Sequence, residues 1–142
     1  MSSPHPDFGT HSHWIVVTAG VMGALGVLIG AFGAHGLEAF LVDAGASAEL
    51  VDKRLDQFDV GARYHLVHAV ALLGLPGLPL LSARMRSFAF GFFTAGIVLF
   101  SGSLYLLVLT DLSWPGPVTP IGGACFMVGW ALLLAAALRR NQ

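Results

Sequence analysis

Charge is what this sequence has least of. Only 7 Lys and Arg and 8 Asp and Glu occur among its 142 residues, 11% in all, where a soluble domain carries roughly 25%. A soluble fold of this length needs polar side chains to cover its surface, so the shortage points to lipid as the solvent. The net charge of −1 excludes the basic face that phosphate neutralisation requires, and no nucleic-acid partner is expected. A single cysteine, Cys125, excludes an intrachain disulfide and any multi-cysteine metal site. It sits in an apolar stretch and reads as a small buried hydrophobe. No Asp or Glu lies deep in any apolar stretch, so the carboxylate on which many small proton-coupled exporters depend is missing. Nor does any serine stand in a nucleophile elbow.

What the sequence has is long apolar runs. Four stand out, at 14–34, 62–81, 87–110 and 118–138. Each is about 20 residues long, enough to cross a hydrocarbon core of about 30 Å as a helix. In lipid the backbone must satisfy its own hydrogen bonds, which selects helix. The second run is the odd one. Arg63, His65 and His68 interrupt its start and Pro76 and Pro79 its end, so it spans only if the polar residues enter the membrane with it. The expected fold is an all-α integral membrane protein, a four-transmembrane-helix bundle in up-down-up-down order, with residues 14–140 forming one domain. Residues 1–13, rich in Ser, Pro and His, read as a disordered tail. That tail has no Lys or Arg and the apolar core exceeds 7–15 residues, so the first run reads as a retained helix and not a cleaved leader.

The one long connection, 36–61, is acidic. Ser47 is a natural N-cap and Glu49 suits the first turn of a helix, so a helix is expected to start near Ala48 and run on into the second span. Asp59 and Arg63, at i and i+4 on it, can pair. Arg84, Arg86, Arg139 and Arg140 fall on the side of the termini, and Lys53, Arg54 and Arg63 on the other. That excess places both termini in the cytoplasm. Glycines at 20, 23, 26, 30, 33 and 36 recur every three or four residues along the first span. Gly23, Gly26, Gly30 and Gly33 are expected to give close helix packing, within the bundle or in a homodimer.

Polar residues gather in the half of the bundle away from the termini: His35, Arg63, Tyr64, His65, His68, Ser101, Ser103, Tyr105 and Thr119. At 100° per residue Tyr64, His65 and His68 share an arc, and Arg63 points roughly opposite His65. Ionisable groups in a span are functional candidates. The favoured reading is a satisfied network that locks helices in register, with Arg63 then the most sensitive member. His5, His11 and His13 could bind a metal only weakly from a solvated tail, and His35, His65 and His68, the constellation within the spans, lack a completing Cys or carboxylate. A histidine pair for haem, or a titrating histidine in a transporter, is equally unspecific. No metal and no cofactor is therefore assigned.

Four stretches together resemble one family. They are Gly30-Ala31-Phe32-Gly33-Ala34-His35-Gly36-Leu37, Ala62-Arg63-Tyr64-His65-Leu66-Val67-His68-Ala69, Ser101-Gly102-Ser103-Leu104-Tyr105, and Thr119-Pro120-Ile121-Gly122-Gly123 followed by Gly129-Trp130. In this order they resemble the small bacterial membrane proteins grouped as domain of unknown function 423, across about 16–138. The resemblance implies a multi-pass protein of the plasma (inner) membrane and brings no activity with it. The expected role is a non-catalytic accessory or structural membrane component, in contact with the lipid bilayer and with other membrane proteins. The alternative is a small transporter or ligand-binding protein with a polar pocket in the half away from the termini.

Overall fold

The computed structural model describes residues 10–110, 112 and 116–139. The N-terminal tail through residue 9, Asp111 and Arg140 lie outside the described residues. Five helices carry the chain: α1 Thr10–His35, α2 Leu37–Asp43, α3 Ala48–Gly74, α4 Ala83–Thr110 and α5 Thr119–Arg139. There is no strand among the described residues. Three of them, within Ser12–His35, Ala83–Thr110 and Gly116–Arg139, are long and apolar enough to cross a membrane. The helix α3 is long enough, at about 40 Å for 27 residues, but its first half is charged.

Local chemistry sets the ends. The chain leaves α1 at Gly36 and immediately forms α2, which buries Leu37 and Leu41. Gly45, at φ 83°, turns the chain out of α2, its N–H reaching Val42 O while Ala46 N–H reaches Leu41 O. That left-handed position is one a side chain would strain. Ser47 then accepts from Leu50 N–H at 3.3 Å, so α3 starts where an N-cap serine predicts. It ends at Gly74, where Leu75–Gly77 tightens into a 3₁₀ turn. The run expected to be helical over 62–81 is therefore helical only in part, because Pro76 and Pro79 deny it two amide donors. Ser82 caps α4 through Met85 N–H at 3.3 Å, starting that helix four residues before the expected 87. At α5, Pro120 occupies the first turn, where its missing N–H costs nothing.

One feature of α4 was not foreseen: a π turn over Ile97–Ser101. Such single turns widen a helix by one residue and re-aim the side chains around it. Here the backbone of Phe100 meets α5 at Gly122, where an added Cβ would overlap Phe100 N.

Neighbouring helices run antiparallel. Along α1 and α3, Gly26 faces Leu66 and Gly33 faces Phe58. Between α3 and α4, Gly61 faces Tyr105 and His68 faces Phe93. Between α4 and α5, Gly96 faces Phe126 and Phe93 faces Gly129. Two apolar cores result. One, around Leu72, Leu75, Phe93, Ile97 and Phe126, lies toward the end that carries the start of α1. The other, Leu37, Leu41, Val51, Phe58 and Val108, lies at the far end. Between them the buried polar side chains His65, His68, Ser101 and Ser103 form a layer, while a further buried one, Arg54, stands toward the far end, near the start of α3, and bonds Gln57. The polar half expected from the sequence is thus a layer, closed off on its outer side by the second apolar core.

The outer surface is as telling as the core. Trp14, Val21, Val27, Leu28, Val70, Leu73, Phe88, Met127 and Leu134 are all more than half exposed. Apolar exposure on this scale would drive association in water, whereas against hydrocarbon it costs nothing.

Candidate functional site

The helix α3 sets the site, because His65 and His68 stand three residues apart on its buried face, each 4% exposed. The His68 ring is held at every edge. Its Nδ1–H donates to Tyr64 O at 2.7 Å, one turn back on the same helix, and its Nε2 accepts from the Trp130 indole N–H of α5 at 3.1 Å. Those two bonds require the Nδ1–H tautomer of a neutral ring, since a proton on Nε2 would face another donor. The ring lies flat on Phe126, centroids 3.5 Å apart and planes 12° apart, with Phe93 at 5.6 Å. Trp130 in turn meets Phe93 edge-on at 5.2 Å. Three helices therefore meet at one imidazole. Glycines make room for the aromatic rings: a Cβ at Gly96 would overlap Phe126, and one at Gly129 would press into Phe93.

His65 is held differently. Its Nδ1 is 3.3 Å from the Tyr105 hydroxyl of α4, a long contact. Tyr105 is itself packed at 5.0 Å on Phe58. The Nε2 side of the ring is buried without a well-formed hydrogen bond, and the backbone of Met22 on α1 is the polar group near the ring. The ring edge there faces Gly26 of α1, 3.5 Å from where a Cβ would stand. The Ser101 hydroxyl, in the π turn and one turn before Tyr105, is fully buried and lacks a well-formed hydrogen bond, with the Tyr105 hydroxyl its polar neighbour. Ser103, also buried, bonds Phe100 O at 2.9 Å and the Thr119 hydroxyl at 2.7 Å, linking α4 to the start of α5.

Other residues read from the sequence stand apart. Arg63 pairs with Asp59 at 2.6 Å, but the two side chains are 75% and 52% exposed. It points away from the polar layer, as the 100° spacing requires, and so does not belong to a buried network. Tyr64 is half-exposed and lies over Phe100 at 4.6 Å. His35 is exposed at the end of α1. The three histidines are not gathered, and among the described residues no group of three His, Cys, Asp or Glu side chains is placed to hold a metal. The glycine stripe divides too. Gly26 and Gly33 touch α3, while Gly23 and Gly30 have nothing within 4 Å of an added Cβ. Gly30 and Gly33 instead line a groove of about 340 Å³ between α1 and α3, rimmed by Glu38, Asp56 and Asp59.

Sequence reasoning missed Trp130, Phe126 and Phe93 as partners of His68. A signal was available for the first: an indole N–H in an apolar span needs an acceptor. The tight glycines of α4 and α5 carried no such signal, because only the crossing of the helices shows which glycines are covered.

Comparison with known proteins places the chain among membrane proteins. Residues 29–123 match the model of a protein family of unknown function, DUF423. The UPF0382 membrane protein YwdK of Bacillus subtilis is 36% identical over 129 residues, covering 87% of this chain and 95% of its own. The UPF0382 inner membrane protein YgdD of Escherichia coli is 35% identical over 137 residues, covering 92% and 94%. No solved structure matches. The matched segment takes in the histidine pair, the π turn and the start of α5, and the chain belongs to the DUF423 family of membrane proteins of unknown function.

Proposed function

We propose that this protein is a non-catalytic accessory or structural component of the plasma (inner) membrane, a four-span bundle in up-down-up-down order over residues 14–140. In this reading α3 is the second crossing, both termini are cytoplasmic, and the outer faces meet lipid and other membrane proteins. One observation carries it. His68, the most deeply engaged ionisable group, has both ring nitrogens bonded and its face covered by Phe126. A histidine in that state has no lone pair for a metal and no free site for a proton, so its work is to join α3, α4 and α5. Ser103 and Thr119 add a second tie between α4 and α5. The antiparallel order of α1, α3, α4 and α5 suits four crossings, with the Asp59–Arg63 pair able to sit at a membrane border.

A second reading, a small transporter or ligand-binding protein, draws on the groove between α1 and α3 and on the His65 Nε2, buried without a well-formed bond and facing the same seam. Purification in mild detergent, with any tag kept away from the His-rich tail, separates the two. Mass spectrometry is expected to find a stoichiometric membrane-protein partner and no retained metal or small molecule. A small molecule that stays bound, and is lost on His65→Ala, would overturn the accessory reading. Reporter fusions after Arg140 should read cytoplasmic, and fusions within 45–52 external; a cytoplasmic 45–52 together with a cytoplasmic C-terminus would remove the second crossing, and an external C-terminus would invert the orientation.

A further inference from the structure

The acidic side chains of the described residues, Glu38, Asp43, Glu49, Asp52, Asp56 and Asp59, all lie toward one end, together with Lys53, Arg54 and Arg63. At the other end, where α1 and α4 begin and α5 finishes, stand Arg84, Arg86 and Arg139, with no Asp or Glu among them. At the basic end a cleft of about 200 Å³ opens between α1 and α4, lined by Ile15, Ala83, Arg84, Arg86 and Ser87. Arg86 is half-buried there. One of its terminal nitrogens reaches Leu78 O and Leu81 O, each at 3.4 Å, while its Nε is buried without a partner. Arg84 is exposed. No carboxylate pairs with either among the described residues. A guanidinium cannot shed its proton, and a partly buried charge held only by two long carbonyl contacts is incompletely answered.

Two further features say what kind of anion fits. The floor of the cleft is apolar, with Ile15 only 4% exposed and Ala83 beside it; a free anion has no use for such a wall, whereas a headgroup continuous with hydrocarbon does. The cleft also lies at the ends of two helices apolar enough to cross a membrane, beside Trp14, which is 65% exposed as an interfacial tryptophan is. We propose that Arg84 and Arg86 hold the phosphodiester of an anionic phospholipid whose glycerol and upper acyl carbons rest against Ile15 and Ala83. Basic pockets between membrane helices favour such headgroups, and the planar guanidinium matches phosphate oxygens in pairs. The inference needs only α1 and α4 to sit in the membrane. It stands independently of the accessory role and of the crossing by α3.

The test is thermal unfolding of delipidated protein in detergent, titrated with phosphatidylglycerol, with phosphatidylcholine, or with inorganic phosphate. Phosphatidylglycerol should raise the melting temperature of the wild-type protein by about 2–4 °C, as a bound ligand does, and the other two should not. Because Arg86 also ties down the 78–81 turn, Arg84→Gln is the deciding variant: it removes an exposed side chain and should abolish most of the shift while leaving the lipid-free melting point in place. Arg86→Gln should abolish the shift as well, and Arg139→Gln, outside the cleft, should keep it. A full shift in Arg84→Gln and in Arg86→Gln, or an equal shift with phosphatidylcholine, would overturn the site. A shift reproduced by inorganic phosphate alone would reassign it to a free anion and overturn the lipid.

Discussion

Two histidines one turn apart on α3 have unlike surroundings. His68 is bonded through both nitrogens and stacked on a ring of α5, while His65 has one long contact and a second, buried nitrogen without a well-formed bond. They share residue type, burial and helix, so the difference comes from what faces them. Opposite His68 stand Phe93, Phe126 and Trp130, brought close by glycines at 96, 122 and 129. Opposite His65 stands α1, whose Gly26 supplies space and no side-chain donor or acceptor. Burial alone therefore does not tell a structural histidine from one with capacity to spare; the count of bonded nitrogens does.

The largest expected effect tests the glycine contact behind the His68 site. Gly122→Leu places a side chain against the backbone of Phe100, which cannot move without disturbing the π turn, and should cost about 3 kcal/mol or more in thermal or chemical unfolding. Gly30→Leu, on the open side of α1, should change stability by less than about 0.5 kcal/mol. Equal losses from the two would mean that the α1 stripe is covered as tightly as the α4–α5 seam. Next comes the histidine itself. His68→Ala removes a stacked ring and orphans the Trp130 N–H, for about 2–4 kcal/mol. With Trp130→Phe it should be non-additive by about 1 kcal/mol or more. Strict additivity would show that the indole–imidazole bond contributes nothing.

Much of this frame could be read from residues alone, and the parts that could not share one cause. Ser47, Gly45 and Pro120 act within a turn or two of themselves, so the start of α3, the turn before it and the start of α5 follow from sequence. The outward aim of Arg63 follows from helical spacing. The π turn does not, because Ile97–Ser101 holds no residue that demands it; its partner is Gly122, more than 20 positions away. The same holds for the glycines. Spacing shows that Gly23, Gly26, Gly30 and Gly33 share a face, but only the crossing of α1 over α3 decides that 26 and 33 are covered and 23 and 30 are not. The early end of α3 was legible in Pro76 and Pro79, and hydropathy outweighed it. Trp130 was visible in the family motif, but its acceptor lies 62 residues before it.

A smaller effect is expected on the other side of the comparison. Tyr105→Phe deletes the one hydroxyl that reaches His65 and keeps the ring against Phe58, so it should cost about 0.5–1.5 kcal/mol. His65→Ala should cost less than His68→Ala, since it breaks one long contact and removes a nitrogen that has no well-formed bond. The reverse order, with His65 the costlier loss, would mean that its Nε2 is firmly bonded, to the Met22 backbone of α1 or to a group outside this chain.

The smallest effect belongs to Arg63, which the sequence marked as the most sensitive of the polar set. A buried guanidinium that loses its partner is costly, and that was the ground for the expectation. But at 75% exposure Arg63 is a surface ion pair with Asp59 on one helix, and such pairs contribute about 0.3–0.5 kcal/mol. Arg63→Ala should therefore shift the unfolding free energy by less than about 0.5 kcal/mol in detergent, and high salt should erase even that. Its effect should appear elsewhere, because a positive charge at the rim of α3 helps to fix which side of the membrane that rim faces. With Arg63 neutral, Lys53 and Arg54 alone oppose the arginines at the other end, so the 45–52 reporter should stay external or become more uniformly so. A loss of stability above about 2 kcal/mol on Arg63→Ala would return the residue to the buried network and place the polar layer one turn further out along α3.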